Sequence, residues 1–173
     1  MHGSCQEMSS AGVTVAAMRI PDLIPISCEP DYHTDTIGTH AGGLFFGGVC
    51  RGWPVAAYEE VGEWPWRDEH DEPMPGPWFA ILHLFDHDGR HLSSEIGPFA
   101  DGAEADQALQ RMLACLQDVE YGDIAVRLFR VDAHDCVFGL IDETDRAEDG
   151  DGYVEYYPNQ IGFYEPWDGS YDT

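Results

Sequence analysis

Asp86, His87, Asp88 and His91 set two imidazoles and two carboxylates close together in the chain, a group of side chains that could ligate a divalent ion. Their setting works against that chemistry. Asp88 and Gly89 supply turn residues between two apolar stretches, and alternate side chains along a strand point to opposite faces, so the four do not converge. Polar residues at a hairpin tip need no further cause. Cys136 beside His134 and Asp135 offers a thiol next to a base, yet adjacent residues in a turn seldom aim at one another. No nucleophile-elbow or oxyanion pattern accompanies them, and a buried thiol behind a hairpin turn accounts for the residues. Asp149 and Asp151 around Gly150 could attract calcium weakly, but they lack the oxygen ladder and closing glutamate of an EF-hand loop, so a dedicated site is not expected. Gly42, Gly43, Gly47 and Gly48 lack both the following lysine and the spacing of a phosphate loop. With 33 acidic residues in the chain, some carboxylate pair always looks suited to acid/base work, so no pair is diagnostic. The sequence assigns no catalytic residue, metal ligand or cofactor.

The residues that solubility does not explain are aromatic side chains set inside acidic stretches. Trp64 and Trp66 stand among Glu59, Glu60, Glu63, Asp68, Glu69, Asp71 and Glu72. Tyr153, Tyr156 and Tyr157 follow the acidic stretch 142–151. Tryptophan and tyrosine are favoured interface anchors, and surrounding carboxylates steer a cationic partner. The competing reading folds both tryptophans inward as a lid on the core.

Charge narrows the partner. The chain carries 33 Asp and Glu against 8 basic residues, all of them arginine, for a formal charge of -25. Such a chain repels phosphate backbones and anionic lipid, which excludes direct nucleic-acid binding and membrane binding as expectations. Solubility and a coding bias against lysine are the plain explanation of the acidity; a surface shaped to meet a basic protein is the sharper one. Five cysteines, widely spaced and without a C-x-x-C pair, argue against a disulfide framework and a zinc site. No apolar stretch reaches the roughly 20 residues that span a bilayer, and the first residues lack a basic signal-peptide region, so a cytoplasmic location is expected.

At 173 residues and 43% hydrophobic, the chain can bury one core, and we expect a flexible extension over 1–17 and a single α+β domain over 18–173. Two prolines make 20–26 an extended edge segment, and 29–35 reads as a polar turn. The glycine-bounded run 42–49 reads as a short buried strand that 53–58 continues after a bend, and 59–77 as a long exposed loop. Segments 78–86 and 90–96 form a first hairpin, and 124–131 with 136–141 a second across a turn at 132–135. Asp101 with Glu104 makes a capping box that starts a helix over 103–119. Its stripe of Ala105, Leu109, Met112, Leu113 and Leu116 lies across the sheet, and Tyr121 and Gly122 end it. Residues 153–157 give a last strand, and Phe163, Tyr164, Trp167 and Tyr171 pack the tail back onto the body. The expected fold is an antiparallel sheet built from hairpins, with one amphipathic helix on one face.

Three stretches also carry a family likeness: Pro25, Ile26, Ser27, Cys28, Glu29, Pro30, Asp31 and Tyr32 with 34–38; Tyr121, Gly122, Asp123, Ile124 and Ala125; and the ending 166–173. Over about 18–173 the chain resembles a group of small acidic bacterial proteins, common in actinobacteria, that often bear the label formate hydrogenlyase regulatory protein. The resemblance implies a bacterial cytosolic protein and agrees with treating 1–17 as an extension. It brings no catalytic residues with it. The leading functional expectation is a non-enzymatic acidic protein that captures a basic protein partner, of the kind represented by immunity proteins that neutralise toxins. The alternatives are a nucleic-acid mimic that occupies the groove of a nucleic-acid-binding enzyme, and a small metal-dependent enzyme using Asp86, His87, Asp88 and His91.

Overall fold

A computed structural model describes residues 20–52, 54, 76–147 and 151–173. Its elements in chain order are β1 (Ile24–Ile26), β2 (Ile37–His40), β3 (Gly43–Arg51), β4 (Trp78–Phe85), β5 (His91–Phe99), α1 (Gly102–Leu113), β6 (Glu120–Tyr121), β7 (Ile124–Val126), β8 (Phe129–Ala133), β9 (Cys136–Asp142), β10 (Val154–Tyr157) and β11 (Ile161–Phe163). All pairings are antiparallel, as expected of an α+β protein built from hairpins. The strands divide among a five-stranded sheet in the order β5-β4-β3-β2-β6, a four-stranded sheet in the order β11-β10-β9-β8, and the β1-β7 pair.

The five-stranded sheet is covered on both faces. Helix α1 presses Ala105, Ala108, Leu109 and Leu113 onto Phe45, Ala80 and Leu82. On the other face Phe79 and Ile81 meet Phe138, while Phe46 and Phe85 meet Leu140, Val154, Tyr156 and Phe163 of the four-stranded sheet. This explains why β4 reads as one apolar run: its alternate side chains serve two different cores. Each fully buried Leu, Ile or Phe contributes about 1.5–3 kcal/mol relative to exposure, so the two-sided burial of β4 anchors the whole molecule. Gly47 lets the helix approach closely, since a Cβ there would stand 2.9 Å from the Thr36 methyl and 3.2 Å from Leu109 Cδ1.

The helix starts as its residues dictate. Asp101 Oδ1 accepts the Glu104 amide at 2.8 Å, satisfying one of the first turn's orphan donors. It ends at Leu113, well before the expected 119. The amides of Cys115 and Leu116 fall back to the carbonyls of Met112 and Leu113, tightening the last turn, and Asp118 takes a positive φ of 55°. Leu116 and Val119 still pack against the helix-side core, so the apolar pattern outruns the helix.

Other expectations change in detail. The segment expected at 124–131 is broken into β7, which pairs with β1, and β8, which pairs with β9. Strand β2 fills the gap after the polar turn, and β11 extends the C-terminal hairpin. The β8–β9 turn is the two-residue kind: His134 and Asp135 have φ of 53° and 60°, as a type I′ connection requires. The tail closes onto the body with three of its four expected aromatics, whereas Tyr164 is exposed. Phe163 is buried, Trp167 and Tyr171 pack against the inter-sheet core, and Gly162 bridges to Asp172.

Candidate functional site

The residues first singled out for partner binding, Trp64, Trp66, Glu59, Glu60, Glu63, Asp68, Glu69, Asp71 and Glu72, lie outside the described residues, as does the continuation expected over 55–58. Their base is described. Arg51 at the end of β3 pairs across the ladder with Trp78 at the start of β4, with its guanidinium 4.9 Å above the indole ring, and the Gly52 amide donates to the Pro77 carbonyl at 3.2 Å. The acidic, tryptophan-bearing stretch is therefore one connection between adjacent strands, and both its ends meet at one end of the five-stranded sheet.

Two members of the second aromatic group, Tyr156 and Tyr157, do not stand free as an interface. Tyr156 is a core residue at 1% exposure, packed on Phe46. Tyr157 accepts from Arg146 Nη1 at 2.9 Å and donates to Glu143 Oε1 at 3.0 Å. Arg146 also lies 4.0 Å from Glu155, a nearly buried carboxylate whose pKa burial raises while Arg146 pulls it down. The group binds the 3₁₀ turn Thr144–Arg146 to β10.

The turn carboxylates and His91 are engaged separately. Asp86 Oδ1 accepts the amides of Asp88 at 2.9 Å and Arg90 at 2.8 Å, so it builds the turn. Asp88 faces Arg90 at 3.6 Å, and His91 Nε2 lies 2.7 Å from Ser94 Oγ. Among the described residues, no three His, Cys, Asp or Glu side chains are placed to share a metal ion. Cys136 is buried and its pKa is pushed up to about 11 by burial, with Asp135 adding to the rise, whereas His134 turns away to the Ile96 carbonyl at 3.2 Å.

One polar group was not singled out in the sequence. His83 sits at mid-β4 with 0% exposure, and the cross-strand register places it opposite Ser94 on β5. Ser94 Oγ lies 2.6 Å from His83 Nδ1 and 2.7 Å from His91 Nε2, so one hydroxyl bridges two imidazoles. His91 stacks on Phe129 of β8 at 4.8 Å, and His83 meets the same ring edge-on. His83 Nε2 and the Tyr156 hydroxyl are buried without a hydrogen-bond partner, with ring centroids 6.0 Å apart. Burial, with a smaller contribution from His91, lowers the His83 pKa to about 3; burial also lowers that of His91, against a rise from the Ser93 backbone. Both rings are neutral at neutral pH. The signal available in sequence was a single imidazole inside an otherwise apolar run.

The described carboxylates are spread over many elements. Asp22, Asp106, Asp118, Glu120, Asp145 and Asp168 are all exposed. Arg90, Arg130 and Arg146 each stand within 4.0 Å of a carboxylate, and the Arg130 hydrogen bonds hold Asp132 below its ordinary pKa. No helix among the described residues is long and apolar enough to cross a membrane. No protein-family model, no curated protein and no solved structure matches this chain.

Proposed function

We propose that this is an acidic binding protein that captures a basic protein partner, in the manner of an immunity protein, and that it works in the cytoplasm. The observation that carries the reading is the charge of -25. Exposed carboxylates on α1, the turns and the tail add a long-range attraction for cations that accelerates encounter. The connection between β3 and β4 supplies the specific part, with Trp64 and Trp66 as apolar anchors in a stretch that carries seven carboxylates in sequence. A cytoplasmic site agrees with Cys28, Cys50, Cys115 and Cys136 being free thiols. The nucleic-acid mimic is the weaker alternative, because it requires carboxylates spaced along one face like phosphates, whereas those described are distributed over unrelated turns and strands.

The test is affinity capture with the full chain at about 50 mM and about 500 mM salt, where screening lengths differ severalfold. The variant to compare replaces Glu59, Glu60, Glu63, Asp68, Glu69, Asp71 and Glu72 by their amides. A basic protein retained by the native chain at low salt, and lost both at high salt and with the variant, is the expected result. Retention of no basic protein at any salt contradicts the proposal.

A further inference from the structure

We propose that Ser94 is a nucleophile that takes up an acyl group, with His91 as its general base and His83 as the donor that holds the serine oxygen. The orientation of the hydrogen-bond chain follows from burial. His83 Nε2 has no partner, and an orphaned buried N–H is more costly than an orphaned lone pair. The proton of the neutral His83 ring therefore belongs on Nδ1, where it donates to Ser94 Oγ across 2.6 Å. With that donor in place, the serine hydroxyl is left to donate to His91 Nε2 across 2.7 Å. His91 then carries its own proton on Nδ1, and the Ser93 main chain favours its charged form.

The result is a nucleophile hydrogen-bonded to a base, with the base oriented by a third group. His91 is neutral at neutral pH and partly exposed, as a base must be, and Phe129 fixes its ring by stacking at 4.8 Å. Ser94 is itself partly exposed on β5, an edge strand of its sheet, so an electrophile can approach from solvent. The reaction is balanced without a redox partner. Ser94 Oγ forms a bond to the carbonyl carbon of an ester, its proton passes to His91 Nε2, the ester C–O bond breaks, and the departing alkoxide takes the proton from His91. The acid surface favours uncharged or cationic esters over anionic ones.

The experiment treats the full-length protein with an uncharged fluorophosphonate probe and locates the adduct by mass spectrometry. In the probe reaction the Ser94 Oγ–P bond forms, fluoride leaves, and the hydroxyl proton passes to His91. One adduct, on Ser94, is expected. Ser94→Ala abolishes it, and Ser93→Ala at the exposed neighbouring serine leaves it intact. His91→Gln, with its thermal melt unchanged, slows labelling about 100-fold or more, the lower range for loss of a general base. The wild-type labelling rate stays flat as pH falls to the ordinary histidine value of about 6.5 and drops only below it, because the His91 pKa is lowered. No adduct on the folded protein, an adduct elsewhere, or labelling of Ser94 that is indifferent to His91→Gln overturns the proposal. If His91→Gln does not fold, the pH profile of the native chain decides: a rate independent of pH through the histidine range overturns it as well.

Discussion

His83 is the residue whose environment has the most pronounced consequence for stability. Its pKa is lowered to about 3 in the folded protein by burial, while the unfolded chain titrates near the ordinary value. Below that ordinary value the unfolded state takes up a proton that the folded state refuses, so folding stability is full above pH ~6.5 and falls as the pH drops toward ~3. His91, shifted in the same direction, adds to the slope. Glu155 works the other way, because its raised pKa makes the folded state hold its proton more tightly, an opposition that sets in above the ordinary carboxylate value. Urea unfolding should therefore show a loss of about 2 kcal/mol between pH ~6.5 and ~5, and His83→Leu should flatten most of it. Gly139 is a second sensitive position. Its φ of 127° is one that L side chains rarely adopt, and a Cβ there would run into the Phe129 carbonyl oxygen. Gly139→Ala should cost about 2 kcal/mol or more, read as a lower denaturation midpoint. Sequence alone marks the imidazole in the apolar run of β4 but not its partner. Ser94 faces His83 only because the β4–β5 ladder shifts register near Leu84 and Phe85, a detail that no propensity encodes.

At the scale of elements, local chemistry was legible and long-range pairing was not. The capping box of Asp101 and Glu104, the Asp86 turn and the apolar runs of β3 and β4 identify themselves, because each depends on residues close in the chain. The division into sheets does not, since β1 joins β7 and β2 joins β6 across long sequence separations. The helix is shorter than its apolar pattern for a physical reason: Leu116 and Val119 pack on the same core from a non-helical turn. Asp101→Ala removes the cap and should lower stability by about 1 kcal/mol, measurable by thermal melt. The C-terminal residues are a structural element in their own right. Ile161 and Phe163 are at 0% and 1% exposure, and Trp167 and Tyr171 close over the same core. Truncation after Asn159 should leave a chain without a cooperative melt, because each lost large side chain is worth several kcal/mol. A truncated protein with a native-like transition would show that β10 and its neighbours hold without their cover.

At the scale of the whole molecule, the packed interior and the charged exterior have separate roles. The interior is closed on both faces of the five-stranded sheet, while the chain carries a formal charge of -25 with 8 arginines to offset its carboxylates. The proposed capture of a basic partner would use both a long-range field and a local apolar anchor, and the two separate experimentally. Replacing Trp64 and Trp66 together by alanine should weaken the captured complex by ~2 kcal/mol or more through faster dissociation, with the melting temperature nearly unchanged. A large fall in melting temperature would instead place both side chains in the core. The field is tested most directly by the association rate of the captured basic partner as a function of ionic strength. That rate should fall about tenfold or more between ~20 mM and ~500 mM salt, while the dissociation rate changes little. An association rate that stays flat across that range would contradict it.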